Sequence, residues 1–420
     1  MSPRDPARLT GFYDEAAETR PREEIRSLQE GLLSTIVPYC YEGSPTYRSK
    51  LDEAGLKPSD VRTLDDLARV PVTRKAETVG DLGEAFMTVP YGEARRIFVS
   101  PGPQFYAYGE IPQSMNPLLK VFFAIGLRPD DIVLNTFTYH LTPAGIMFDE
   151  AMGAFGCAVI PAGTGNTDLQ VQILRDLEVA GYLGTPSFLQ IVVDRAIELG
   201  VDPAKEFSLA AALTTAETLT EGRRAALENA TGAMVRQLYG SADGLLPCFE
   251  CWAADGMHVP EMMILEITDP ESGEPLPSGE PGAVTATVYN PYRPLLRFCN
   301  GDRGMLVDEP CACGRTAQRF RFRGRIDEAR KVRGMFVYPE QVAEALERDG
   351  GAPVWRAVVE HDARGLDRFA VEVEGRLDDE TREQLAERLR GAVRVRAEVI
   401  AVPAGTVGDD AGRLVDRRPA

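Results

Sequence analysis

Positive charge, histidine and long apolar runs are all scarce in this chain, and each shortage removes a class of function. Lysine and arginine number 46 against 64 acidic residues, a net charge of −18. A nucleic-acid backbone or an anionic membrane surface would be repelled at long range by such a molecule. No uncharged apolar stretch approaches the roughly 18 residues needed to cross a bilayer. Met1 to Arg20 is polar and mixed in charge, without the apolar centre of a signal peptide. Seven cysteines, unevenly spaced over 420 residues, are too few for a disulfide scaffold and place the chain in a reducing cytoplasm. Three histidines leave few bases for a hydrolase, and Gly240-Ser241-Ala242-Asp243-Gly244 lacks the Gly-x-Ser-x-Gly spacing of a serine nucleophile. What remains, 44% hydrophobic and 26% charged, suits a large apolar core in two or three domains.

Ile25, Leu28, Leu32 and Ile36 recur at helical spacing, which predicts a helix over residues 21–36 that Pro38 ends. Residues 44–70 read as short helices broken by Pro45, Gly55 and Pro58. Arg96 to Val99 reads as a strand entering Ser100-Pro101-Gly102-Pro103-Gln104. A strand opening into small residues is where a phosphate cradle sits. Here Pro101 and Pro103 each lack an amide donor, and no hydroxyl follows until Tyr106. From 114 to 193 the pattern alternates: helix over Leu118 to Ile125, strand over Asp131 to Asn135, helix over Ala144 to Phe155, a short buried strand over Cys157 to Ile160, helix over Leu169 to Leu177. Alternation of this kind predicts an α/β fold of parallel βαβ units, which bind ligands beyond the carboxyl ends of their strands. Tyr139 and His140, and Ser187 and Phe188, follow such ends and are candidate walls of a substrate pocket. A lone histidine beside an apolar segment is more often structural, and that reading stands beside the first for His140.

The densest chemistry lies between Tyr239 and Asp327. Cys251 and His258 are separated by six residues, Cys311 and Cys313 by one. Three thiolates and an imidazole satisfy tetrahedral Zn2+ in a closed structural site, with Cys248 as a substitute ligand. The plainer reading is free buried cysteines and a surface histidine. Asp302 follows Gly301 between two predicted strands, Pro294 to Phe298 and Gly304 to Val307, where a carboxylate can accept both hydroxyls of a ribose. Arg319-Phe320-Arg321-Phe322-Arg323 alternates cation and ring, as a strand with one solvated arginine face does; a nucleic-acid strip is disfavoured by the overall acidity. Beyond Asp327 the pattern becomes a small α+β unit, in which Phe369, Val371 and Val373 alternate with charged neighbours.

This order of segments resembles the phenylacetate-CoA ligase branch of the adenylate-forming enzymes over roughly residues 20–417. Tyr47-Arg48, Gly55-Leu56-Lys57-Pro58 and Lys75 resemble its N-terminal region, and Gly165-Asn166-Thr167, Thr185-Pro186-Ser187 and Ala216-Glu217 its central segments. The resemblance implies a large N-terminal domain with parallel sheets, 1–326, and a mobile α+β C-terminal domain, 327–420, hinged at Asp327. It assigns Ala216, Glu217, Tyr239, Gly240, Asp302 and Arg325 to the nucleotide, with Asp302 on the ribose and Tyr239-Gly240 on adenine. Asp243 and Arg325 fall in the catalytic set, Asp243 replacing a glutamate associated with Mg2+ and one methylene shorter than it. Glu250-Cys251, His258 and Cys311-x-Cys313-Gly314-Arg315 resemble the family's structural zinc site. AMP or an acyl-adenylate, CoA and a homodimer are further implications.

Two family features are replaced. The phosphate loop Ser-Ser-Gly-Thr-Thr-Gly-Lys becomes the proline-flanked segment after Ser100. The lysine three residues before the arginine matching Arg413 becomes Asp410. One unit charge at about 4 Å is worth about 4 kcal/mol at an effective dielectric of about 20, and the last lysine of the chain is Lys331. The expected function is therefore acyl transfer on an aromatic or related carboxylate, in secondary metabolism, from a preformed acyl-adenylate or thioester. A conventional ATP-dependent acid-CoA ligase and a non-catalytic protein that binds nucleotide or aryl acid are the alternatives.

Overall fold

A computed structural model describes residues 5–78, 80–100, 104–109, 116–240, 247–326, 328–332, 335–347, 353–361 and 367–418. The chain forms two compact units. The first is Met1–Asn300 with Met305–Arg321, the second Gly301–Gly304 with Phe322–Ala420. Among the described residues no helix is long and apolar enough to cross a membrane.

The first unit opens with helix α1 (Arg22–Gly43) and the hairpin β1 (Arg96–Ser100) and β2 (Gln104–Tyr108). It then alternates through α2 (Leu118–Ala124), β3 (Ile132–Asn135), α3 (Ala144–Phe155), β4 (Ala158–Pro161), α4 (Thr167–Asp176) and β5 (Val179–Gly184). The series continues with α5 (Pro186–Glu198), β6 (Ala211–Thr214), α6 (Glu221–Thr231) and β7 (Met234–Tyr239). These strands lie in the order β4-β3-β5-β6-β7, all parallel. Central strands β5 and β6 are buried along their whole length, as helices covering both faces require. The antiparallel part of the same sheet follows: β8 (Cys248–Glu250), β9 (Met257–His258), β10 (Ile264–Thr268), β11 (Gly282–Val288), β12 (Leu295–Val307) and β13 (Arg319–Arg325), ordered β10-β11-β12-β13-β9-β8-β7.

Several local expectations are corrected. Helix α1 runs through Pro38. The proline forfeits one backbone bond, but Leu33, Ile36, Val37 and Cys40 are fully buried around it, and their packing carries the helix across. Strand β4 is exposed or half-buried because it is the edge of the sheet. β12 is one strand of 13 residues where two were expected; Gly301, at φ 87°, absorbs the turn without ending it. Arg319 does not face solvent: it is 1% exposed, bonded to Asp255 and to the Glu309 carbonyl.

The second unit contains α7 (Pro339–Leu346), β14 (Trp355–His361), β15 (Asp367–Glu374), α8 (Asp379–Val393), β16 (Glu398–Val402) and β17 (Leu414–Asp416). Its sheet is ordered β16-β15-β14-β17. Phe369, Val371 and Val373 on one face of β15 meet Leu385, Leu389 and Val393 of α8 in a single apolar core, the period-2 and period-3.6 faces that each element requires.

Arg297 anchors the start of β12. It adopts φ 44° and is 1% exposed. Its guanidinium donates to the carbonyls of Ala68, Val70 and Gly273 at 2.7–2.8 Å and pairs with Glu266 at 3.0 Å. Burial pushes the Glu266 carboxyl up, and Arg297 opposes that shift. Arg297→Met strands a buried carboxylate and three carbonyls, so the first unit should lose about 3–5 kcal/mol. A urea midpoint equal to wild type would show that the pair does not hold the strand.

Candidate active site

A cavity of about 410 Å³ opens at the carboxyl ends of the parallel strands. The residues that follow each strand supply its wall: Phe137 after β3, Thr164 after β4, Thr185 after β5, Ala216 after β6 and Gly240 after β7. This is where an open α/β sheet leaves a crevice, because neighbouring connections diverge there. Met147 and Phe148 of α3, with Phe98 and Tyr106 of the hairpin, close it with apolar surface. Gly184 lets the ends of β3 and β5 approach: a Cβ there would lie 2.1 Å from the Thr136 hydroxyl. Ala216 is held at φ 70°, a left-handed conformation that a non-glycine residue adopts at an energetic cost, directly on the cavity wall.

Of the candidates read from sequence, Phe188, Ala216 and Gly240 line the cavity. Ser187 donates its amide and hydroxyl to the Glu217 carboxylate, tying α5 to the segment after β6. Tyr139 lies outside the lining; its phenol donates to Asp149 at 2.7 Å and accepts from Asn135 at 2.9 Å, and burial pushes its ionisation up. His140 is exposed and also outside the lining. Tyr239 is buried, with its ring 4.8 Å from that of Phe320 and its hydroxyl accepting from Asn300 at 2.7 Å. In the second unit Asp302 and Arg325 pair at 3.1 Å. Asp243 and Asp327 lie outside the described residues. Sequence reasoning missed the hairpin residues Phe98 and Tyr106, and Arg293, which enters the wall from the connection between β11 and β12. The strand read over Arg96 to Val99 was the signal available for the hairpin, and it does not say which of its three apolar residues faces inward.

Beside the cavity, Cys251, His258, Cys311 and Cys313 bring four ligand atoms within 4.8 Å of one another. The Cys251 and Cys311 sulfurs are 3.7 Å apart, and Cys313 Sγ is 3.3 Å from His258 Nε2. Hydrogen bonds from Cys251 and Cys311 push the Cys313 thiol down. Burial depresses the His258 imidazolium, but its contacts with Cys311 and Cys313 outweigh that effect and leave it raised. Cys248 is fully buried outside the group, and burial pushes its thiol up. The cluster can hold a metal ion.

Arg224 of α6 and Glu250 of β8 form a buried bidentate pair at 2.8 Å, each side chain 7% exposed. Arg224 also donates to the Val235 carbonyl, and Glu250 accepts the Gln237 amide at 2.7 Å.

The fold is that of the adenylate-forming enzymes. A 2-hydroxyisobutyryl-CoA ligase, solved in an open conformation with 2-HIB-AMP and CoA, superposes with a TM-score of 0.82 at 25% identity, covering 96% of this chain and 94% of that one. Its postadenylation state gives a TM-score of 0.80 at 26% identity, covering 96% and 92%. The chain belongs to the phenylacetate-CoA ligase family: it is 34% identical over 349 residues to the phenylacetate-coenzyme A ligase of Thermus thermophilus, covering 80% of this chain and 78% of the relative. The Escherichia coli phenylacetate-coenzyme A ligase is 29% identical, covering 96% and 97%. No family model matches.

Arg224→Met leaves Glu250 charged and buried, and stability should fall by about 3–5 kcal/mol. Adding Glu250→Leu should restore much of it; thermal unfolding of the two variants checks this, and equal losses would deny the coupling.

Proposed function

We propose that the protein transfers an aromatic or related acyl group, supplied already activated as its adenylate, to the thiol of CoA. The new thioester bond forms as the bond between acyl carbon and phosphate oxygen breaks, AMP leaves, and the thiol proton passes to solvent. The observation that carries the reading is a cavity walled by aromatic and aliphatic side chains, in a chain whose sequence departs from the family at both phosphate-handling segments. Ser100 pairs with Gln104, so three residues, Pro101, Gly102 and Pro103, replace the family's loop of hydroxyls, glycines and lysine. Asp410, in place of the adenylation lysine, pairs with Arg356 at 3.3 Å. The 2-hydroxyisobutyryl-CoA ligase bound to 2-HIB-AMP and CoA supports adenylate and CoA as the ligand classes. A C-terminal domain of residues 327–420 hinged at Asp327, and a homodimer, belong to the same reading on family resemblance.

Acyl-adenylates of aryl acids mixed with CoA should yield thioester and AMP. The same acids with ATP and Mg2+ should release pyrophosphate on the order of a thousandfold more slowly, the rate equivalent of about 4 kcal/mol. Brisk pyrophosphate release would replace the proposal with a conventional ligase. Tight binding without turnover would leave a nucleotide- and aryl-acid-binding protein.

Zinc fits the Cys251, His258, Cys311, Cys313 group. With Zn–S near 2.3 Å a tetrahedron has sulfur–sulfur edges of about 3.8 Å, against 3.7 Å between Cys251 and Cys311. Bound there, the ion would join the loop after β8 to the segment before β13 as a structural element. Elemental analysis should find about one zinc per chain, reduced in Cys313→Ser along with the unfolding temperature. Protein purified without chelator and devoid of zinc would end the assignment.

A further inference from the structure

We propose that the segment preceding α1 closes the Cys251, His258, Cys311, Cys313 site, and that Glu18, acting through Arg315, sets how fast the metal leaves it; this rests on the reading that the group holds zinc. Three of the four ligands are buried and Cys313 is half-buried, so a chelator meets the site first at Cys313. The residues that follow this ligand are held from outside the site. Gly314, at φ 84°, turns the chain with its amide on the Cys311 carbonyl at 3.0 Å, and a Cβ there would lie 3.3 Å from the Phe12 ring. Arg315 and Glu18 are both buried and pair at 2.6 Å. The same guanidinium lies over the rings of Phe12 at 5.2 Å and Phe249 at 6.0 Å, and the Phe249 ring is 5.6 Å from that of His258. Thr316 donates its amide to the Glu18 carbonyl at 3.1 Å and its hydroxyl to the Arg20 carbonyl at 2.5 Å.

Glu18 is placed for this by its own turn. Glu15–Glu18 forms a single helical turn in which the Asp14 side chain accepts the Ala17 amide at 3.1 Å, while the Asp14 amide donates to the Glu18 carboxylate at 2.9 Å. Earlier in the segment Arg8 and Asp131, both buried, pair at 2.6 Å and fasten it beside β3. Separating one buried charge from its partner is costly. Residues 313–316 therefore cannot swing off the site without breaking the Glu18–Arg315 pair or lifting the whole segment. The segment supplies no ligand; it governs access to the ligands and holds the turn that carries one of them, as outer partners of a metal site do.

Release of zinc from the full chain to the chromogenic chelator 4-(2-pyridylazo)resorcinol, well below the unfolding temperature, tests this. Glu18→Gln should release zinc about tenfold to a hundredfold faster than wild type, and Phe12→Leu about twofold to fivefold faster. In an Arg315→Met background Glu18→Gln should add nothing, because the glutamate acts through the arginine. Arg297→Met, which weakens the same unit through partners elsewhere, should release zinc at the wild-type rate. One rate for wild type, Glu18→Gln and Phe12→Leu would overturn the proposal while leaving the zinc in place, and so would an equal acceleration in Arg297→Met. If Glu18→Gln does not fold, Phe12→Leu decides. Wild-type protein that yields no zinc even when unfolded in guanidinium would remove the metal reading itself, and this proposal with it.

Discussion

The Arg224–Glu250 pair fixes the point where the large sheet changes from parallel to antiparallel, and the rest of the site is placed by it. Two charges taken out of water together are tolerated only when their remaining hydrogen bonds are also met. Here the Val235 carbonyl and the Gln237 amide meet them, both from β7. The pair therefore welds α6, β7 and β8 at one position. Gly240 leaves β7 into the cavity wall, and Cys251 leaves β8 into the cysteine–histidine group. Arg236, on the same strand as Val235 and Gln237, holds the carbonyls of Cys251 and Trp252 at 3.0 and 2.7 Å. Two features with unrelated chemistry thus share a single rigid origin.

That dependence explains what was legible in the sequence. The parallel half could be read because each βαβ unit encodes itself locally: the apolar period of α3 gave Ala144 to Phe155 to the residue. The cysteine–histidine group was legible through the family resemblance, since each short spacing alone reads equally well as free buried cysteines and a surface histidine; the fold brings the four ligand atoms together. Elements whose form depends on distant partners were not. Pro38 signals a helix end until the packing of Val37 and Cys40 is known. Gly301 signals a turn until the neighbours of β12 hold the strand straight. Arg319 looks solvated until Asp255 is placed beside it.

In the site, sequence identifies the segments that follow strands but not which of their side chains turns inward. After β5 they are Thr185 and Phe188, while Ser187 turns to Glu217. After β3 they are Thr136, Phe137 and Thr138, with Tyr139 turned to Asp149 and His140 to solvent. Arg293 had no local signal at all, because an arginine after a proline and a tyrosine in a connection reads as surface. Only the fold brings it against Tyr106.

The hairpin of β1 and β2 is fixed by its own packing. Side chains alternate across a strand, so Phe98, Tyr106 and Tyr108 form one buried cluster against α3 while Ile97 and Phe105 point outward, 47% and 41% exposed. Register is held by five backbone pairs from Arg96–Tyr108 to Ser100–Gln104, and a one-residue slip would expose all three buried rings. The rings thus fix the hairpin independently of what joins its strands. On the proposed reading this is why Pro101-Gly102-Pro103 could replace a phosphate-binding loop: the connection was free to change, whereas the strands on either side of it were not.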